Sequence, residues 1–199
     1  MPSDRFLKLP INKKEVVHQA IINEMKKHTY EHINVSNIVR EADISRGSFY
    51  QYFIHKDDFY FYILEFIGHN KQKYMDMAYL QNHAIGFIKK LEHIVHASIE
   101  FSKSHPDYVN IGIQLYASTH EKIKSFVSKS IQDMQQLFET WLSLDKRYEN
   151  MKHQSLFCQY IASTITYQTQ FALKQKSLEA LENDLLILIK LLEGGITNV

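Results

Sequence analysis

Hydrophobic positions along the chain recur every three to four residues, the spacing that gathers them on one side of a helix. A first helix is predicted from Asn12-Lys13-Lys14-Glu15, which has the form of a capping box, to about His28, behind an apolar and basic tail over Met1 to Pro10. Val35, Ile38, Val39 and Ala42 define a short second helix, opened by Asn34 and stopping near Asp43. Ser45 caps a third. Ile44 just before that cap and Phe49 four positions after it form a hydrophobic staple, and Phe53 repeats the apolar face one turn on. A fourth helix opens at His55 to Lys56, where Asp57 and Asp58 oppose the positive end of the dipole, and is expected to reach about Leu80.

The remainder is predicted to be helical as well. From Ala84 to Ser104, Phe87, Ile88, Leu91, Ile94, Val95 and Ile99 share one side of the helical wheel, with Lys89, His93, His96 and Glu100 opposite. Pro106 allows a restart, and Ser118 to Glu121 reads as a second capping box before a long helix ending near Arg147. Two more helices, about Lys152 to Gln175 and Ser177 to Glu193, close the chain, with Gly194-Gly195 as the stop.

Composition narrows the class. Among 199 residues, 6 Gly and 3 Pro are too few turn residues for a many-stranded sandwich and leave no glycine-rich phosphate loop, so the fold class is all-α. Lys and Arg total 23 against 22 acids, a net charge of +1 that carries no chain-wide nucleic-acid or membrane signal. The balance is nevertheless local: residues 1 to 56 hold nine basic and six acidic side chains, +3, which leaves −2 for the rest. A lone cysteine, Cys158, and an N-terminus without a secretory pattern place the chain in the cytoplasm. No apolar run approaches bilayer length, so no membrane partner is expected.

The stretch NVSNIVREADISRGSFYQYFIHK, Asn34 to Lys56, sets two short helices a few residues apart, the spacing of a helix-turn-helix. One helix buries Val35, Ile38, Val39 and Ala42; the next buries Phe49 and Phe53 and turns Arg46, Ser48, Gln51 and Tyr52 outward, as a reader of DNA requires. At Ala42-Asp43-Ile44-Ser45, Gly47-Ser48-Phe49-Tyr50, Tyr52-Phe53 and Lys56 the sequence resembles the TetR family of bacterial transcriptional regulators. The likeness covers the first quarter of the chain. It departs from the family at Thr29, where glycine is common before an aromatic, and at Asp43, which replaces the usual turn glycine. Asp tolerates left-handed backbone better than most residues, so the turn is expected to survive.

The resemblance implies a helix-turn-helix DNA-binding domain over 1–55 and a helical effector-binding and dimerisation domain over 56–199. Combined with side-chain chemistry, it assigns Arg46 to guanine, Gln51 to adenine, Ser48 to a base edge or phosphate, Gly47 to close approach, and Tyr50, Tyr52 and Lys56 to phosphates. Ser36 and Asn37 on the supporting helix are further candidates. The expected partner is a double-stranded DNA operator, read as a ligand-responsive repressor would read it.

In the body, the aromatics Tyr108, Tyr116, Phe126, Phe138, Trp141, Phe157, Tyr160, Tyr167 and Phe171 are numerous for a helical core. The resemblance makes them candidates for an effector pocket, and since Arg147 is the only arginine after Arg46, a lipophilic small molecule suits the pocket better than an acidic one. Leu178, Leu181, Leu185, Leu188, Ile189 and Leu192 make an unusually wide stripe on the last helix, with Phe157, Ile161 and Ile165 beside small Ala162 and Ala172 on the one before. These two helices are expected to pair with those of a second copy, giving a homodimer. No cofactor is implied. His28-Thr29-Tyr30-Glu31-His32 matches the H-x-x-E-H pattern of inverted zinc peptidases, but it falls where a helix ends and lacks a third ligand, so no enzyme activity is expected. The alternative of another class is a helical carrier of hydrophobic ligands that does not bind DNA.

Overall fold

A computed structural model describes residues 1–175 and 177–196, without the side chains of residues 170–175, 195 and 196. Among the described residues every regular element is helical. In chain order these are α1 (Asp4–Leu7), α2 (Ile11–Met25), α3 (Val35–Glu41), α4 (Arg46–Tyr52), α5 (Lys56–Gln72), α6 (Met77–Gln81), α7 (Phe87–Ser104), α8 (Pro106–Ala117), α9 (Glu121–Leu144), α10 (Gln154–Gln175) and α11 (Leu178–Ile196), with 3-10 turns at Tyr30–His32 and Lys146–Tyr148. The chain forms two compact units, one of Met1–Gln72 with His105–Ile123, the other of Lys73–Ser104 with the chain from Lys124 onward. These do not coincide with a division at residue 55: α5 and α8 belong to the first unit.

Local signals explain how the first unit starts. Asn34 accepts the Ser36 N–H at 2.9 Å and Ser45 accepts the Ser48 N–H at 3.0 Å, so both expected caps form. Ile44 and Phe49 enter one apolar cluster, as a staple should. Between the caps Asp43 adopts a left-handed backbone, φ 50°, the conformation in which glycine or a short acid is tolerated.

Three expectations fail for physical reasons, and the tail, for which no element was predicted, is folded. The helix preceding α3 begins at Ile11 with Pro10 as its uncapped start, which puts Asn12 and Glu15 inside the helix, where they cannot form a capping box. The N-terminal tail is folded: Phe6 is fully buried at 4.7 Å from Phe53 and 5.6 Å from Tyr62, and Ser3 donates its N–H to the Tyr52 carbonyl at 2.9 Å. The helix from Lys56 stops at Gln72 because Asp76 opens a new one, accepting the Tyr79 N–H while giving its own N–H to His93 Nε2. Likewise Ser118 does not cap α9. It is His120 Nδ1 that accepts the Lys122 N–H, Ser118 being bonded elsewhere.

The second unit is a bundle whose core joins α7, α9, α10 and α11 through Phe87, Leu91, Phe138, Ile161, Leu181 and Leu185. Asp145 accepts the Phe87 N–H at 2.8 Å and is held by Arg147, so the long helix ends at Leu144, short of Arg147. A Cβ at Gly86 would lie 2.1 Å from the Arg147 guanidinium, so a larger residue there would displace the end of that side chain. At the other end α11 continues through Gly194 to Ile196, so the glycine pair does not stop it.

Candidate nucleic-acid interface

The seven residues of α4 divide cleanly between two faces. Phe49, 1% exposed, and Phe53 just after the helix point into the aromatic cluster with Phe59, while Arg46, Gly47, Tyr50 and Gln51 are exposed. Phe6, Phe49, Phe53 and Phe59, linked by ring pairs 4.7–5.9 Å apart, hold the helix by area burial plus about 0.5–1.5 kcal/mol per pair. The arm braces its far end, Ser3 Oγ donating to the Gln51 carbonyl at 2.7 Å. An outward face on so short a helix is therefore rigid.

What that face offers is unspent bonding capacity. Arg46 makes no hydrogen bond or ion pair among the described residues, and neither does the Gln51 side-chain amide. Tyr50 is 46% exposed, its ring edge-on to Phe49. Gly47 has ordinary backbone angles, and a Cβ on it would meet only Ser45 Oγ at 3.7 Å. Nothing inside the protein demands glycine there; the bare spot faces outward.

Other candidates are engaged internally. Ser48 shares a 2.9 Å hydrogen bond with Ser45, and Tyr52 is half-buried against Phe6. Asn37 donates to the Glu24 carboxylate at 3.2 Å and accepts from Arg40 at 3.1 Å, whereas the half-buried Ser36 hydroxyl has no intramolecular partner among the described residues. Lys56 turns inward: its ammonium donates to the Tyr30 carbonyl at 2.9 Å and lies 4.9 Å from the Tyr30 ring centroid.

Sequence reading missed the acids that shape this region. Glu24 is buried on the inner face of α2, where it accepts the Asn34 N–H at 2.8 Å and so fixes the start of α3; an acid between Ile21 and Met25 on a core face is the signal that could have revealed it. Glu31 accepts from the Ser118 hydroxyl at 2.8 Å and from the Thr119 N–H at 2.6 Å, pinning the α8–α9 turn beside the loop that enters α3. Asp57 bonds both Tyr30 and Lys122. Within the H-x-x-E-H stretch, His28 lies 3.9 Å from Glu24 and His32 pairs with Thr29, so its histidines and Glu31 address different partners. Among the described residues no three metal-ligating side chains converge.

These groups set the acid sensitivity of the unit. Burial against Phe66 and Tyr62 lowers His18 from the ordinary 6.5 to about 4. Burial would raise Glu31, but hydrogen bonds from its own backbone, Ser118, Thr29 and Thr119 outweigh it and hold the carboxylate well below the usual range. Lys122 and Tyr30 similarly lower Asp57. All three bind protons more readily unfolded, so their stabilisation is present near neutrality and is lost as pH falls. The His18 contribution is lost between about 6.5 and 4, those of Glu31 and Asp57 as pH falls on through and below the usual carboxylate range. Thermal melts across pH should show both stages, His18→Gln flattening the upper and Glu31→Gln the lower. Unchanged acid limbs in both variants would refute the assignment.

In the second unit, Phe138 and Trp141 are core residues and Phe157 packs 6.3 Å from Phe87, while Phe126 is half-buried. Tyr160 and Tyr167 are 65% and 62% exposed. Tyr108, stacked on His105, and Tyr116 belong to the first unit, and the other candidate pocket aromatics to the second. The side chains of Phe171 and Ala172 lie outside the described residues. A buried lysine not singled out in the sequence, Lys90, sits with its ammonium 5.4 Å from the Trp141 ring, and burial lowers its pKa.

Within one chain, the stripe expected to pair with a second copy lies against the unit's own core. Leu181, Leu185, Ile189 and Ile161 are buried in the unit's own core, with Leu178, Leu192, Phe157 and Ile165 packed against it, and Leu188 is half-buried. Among the described side chains of these two helices, the exposed large apolar residues are Leu156, Tyr160 and Tyr167 on α10, and Ile187 and Leu191 on α11.

Residues 19–63, from the middle of α2 into α5, match the family model described as bacterial regulatory proteins of the tetR family, and the match spans every candidate DNA contact. The helix-turn-helix is thus of the TetR type. Both helices of that element, α3 and α4, lie within the matched residues. A TetR-family transcriptional regulator from Chloroflexus aurantiacus J-10-FL aligns over 100% of this chain and 97% of its own at 18% identity, TM-score 0.58. A TetR-like regulator from Rhodococcus sp. RHA1 covers 92% and 96% at 13% identity, TM-score 0.69. A TerR/AcrR-family regulator from Aquifex aeolicus VF5 covers 90% and 99% at 19% identity, TM-score 0.63. At these identities the likeness shows the TetR fold along the whole chain. No curated protein matches in sequence. Among the described residues no helix is long and apolar enough to cross a membrane.

Proposed function

We propose that this regulator is a ligand-responsive repressor acting as a homodimer on a pseudo-palindromic operator. The observation that carries the reading is the outward face of α4, where Arg46 and Gln51 keep their donors and acceptors free beside a glycine that no internal packing requires. Such groups match guanine and adenine edges in a major groove. A single head can occupy one half-site only; two half-sites a helical turn apart, about 34–36 Å or a multiple, need a second copy. The exposed tyrosines of α10 and the exposed Ile187 and Leu191 of α11 supply an apolar face for that copy. An effector in the helical body would act by favouring a head spacing that does not fit the operator, a population shift. With Arg147 committed to Asp145, a lipophilic effector remains the better fit.

Lys56 separates two roles within this reading. If its ammonium reaches phosphate, Lys56→Gln reduces the magnitude of the salt slope of DNA binding by about one per protomer. Because it is bonded to the Tyr30 carbonyl, we expect instead a lower melting temperature with the slope unchanged. The proposal as a whole is tested by a gel shift on the DNA upstream of the protein's own gene at several salt concentrations, with a reporter fused to that promoter. Salt-dependent binding and derepression on deletion support it. Absence of DNA binding would favour a ligand carrier, and lowered reporter output on deletion an activator.

A further inference from the structure

An open groove of about 530 Å³ runs between the start of α2 and the helix-turn-helix, walled by Asn12, Lys13 and Val16 on one side and by Asp43, Ser45 and Ser48 on the other. We propose that this groove seats the sugar-phosphate backbone of the operator strand flanking the bases read by α4, with Lys13 as a phosphate contact outside the helix-turn-helix. The inference rests on the DNA-binding reading above and extends it to α2.

Three observations converge. The groove is continuous with the reading surface, since Ser45 and Ser48 belong both to its wall and to the opening of α4. Lys13 is exposed and has no acid within ion-pair distance among the described residues, whereas its neighbour Lys14 is folded back onto the Leu7 carbonyl at 2.8 Å. Asp43 stands in the opposite wall, also exposed and without an ion-pair partner among the described residues. An acid at the tip of the turn repels a phosphate, and it is retained in a left-handed position where glycine would relieve both strain and charge. An unpaired cation across the groove offsets that repulsion and draws the strand to the α2 side. Glu15, the remaining charge on this turn of α2, does not line the groove.

The test uses the full chain and fluorescently labelled duplex DNA, both a promoter fragment and a random sequence, titrated between low and moderate salt. Lys13→Gln should weaken binding to both duplexes and lower the magnitude of the salt slope by about one per protomer, while Lys13→Arg restores it. Asp43→Asn, which keeps a residue tolerant of left-handed backbone, should tighten binding to both. Melting temperatures of the Lys13 variants should match the wild type, because the side chain is exposed and makes no hydrogen bond or ion pair among the described residues. If the wild type binds but Lys13→Gln keeps its slope and affinity, the groove proposal is wrong and the reading of α4 stands. Should the wild type bind neither duplex, both fall together.

Discussion

Replacing Tyr160 and Tyr167 together by glutamate is expected to yield a monomer that keeps its helical content and loses operator binding. Both rings are more than 60% exposed within one chain, yet they stand seven residues apart on one side of α10, with exposed Leu156 one turn before Tyr160. Exposed aromatics at that spacing are the residues that anchor interfaces, where truncation of a central tyrosine costs about 2 kcal/mol or more. Two carboxylates facing their symmetry mates add repulsion. Leu185→Glu makes the contrasting case: Leu185 is 4% exposed in the unit's own core, so a buried unpaired charge there should unfold the second unit rather than divide a dimer. Light scattering, circular dichroism and a gel shift on the same samples distinguish the outcomes. A wild type that is monomeric at micromolar concentration yet binds a two-half-site operator tightly would overturn the dimer mechanism.

The leucine-rich last helix illustrates what periodicity conveys and what it withholds. Its apolar stripe is too wide for one packing face, and that excess is visible in the sequence. Which edge of the stripe meets the chain's own core depends on where α7 and α10 lie, a matter of tertiary placement that no local pattern records. The helix-turn-helix was legible for the opposite reason. Its determinants, Asn34 and Ser45 as caps, Ile44 with Phe49 as staple and Asp43 in the left-handed turn, all act within five residues. Contacts between distant segments stayed hidden: Glu31 and Ser118 are 87 residues apart, and nothing in either neighbourhood announces the other. The same holds for Lys56, whose position in the motif suggests a phosphate contact while its ammonium is spent on the Tyr30 carbonyl. The N-terminal tail carried no predicted element for the same reason: what folds it is a single Phe6 inserted beside Phe53 and Tyr62.

Arg46→Ala should abolish preference for one base pair per half-site, at a cost of about 1–3 kcal/mol in specific affinity. The expectation follows from position and from freedom. Arg46 is the first residue of α4, the end that enters the groove in helix-turn-helix docking, and its guanidinium has no partner among the described residues to be broken away from before it binds. Adjacent Gly47 lets the backbone approach closely enough for the fork to span guanine O6 and N7. Because the side chain is exposed, the substitution should leave the melting temperature within about 0.5 kcal/mol of stability of the wild type, so lost binding cannot be ascribed to lost fold. The discriminating measurement compares a selected operator with random duplex under one salt condition. A base contact lowers affinity for the operator far more than for random DNA and flattens the preference at a single position in both half-sites; an equal loss on the two duplexes would place Arg46 on a phosphate instead and leave Gln51 as the reader on α4.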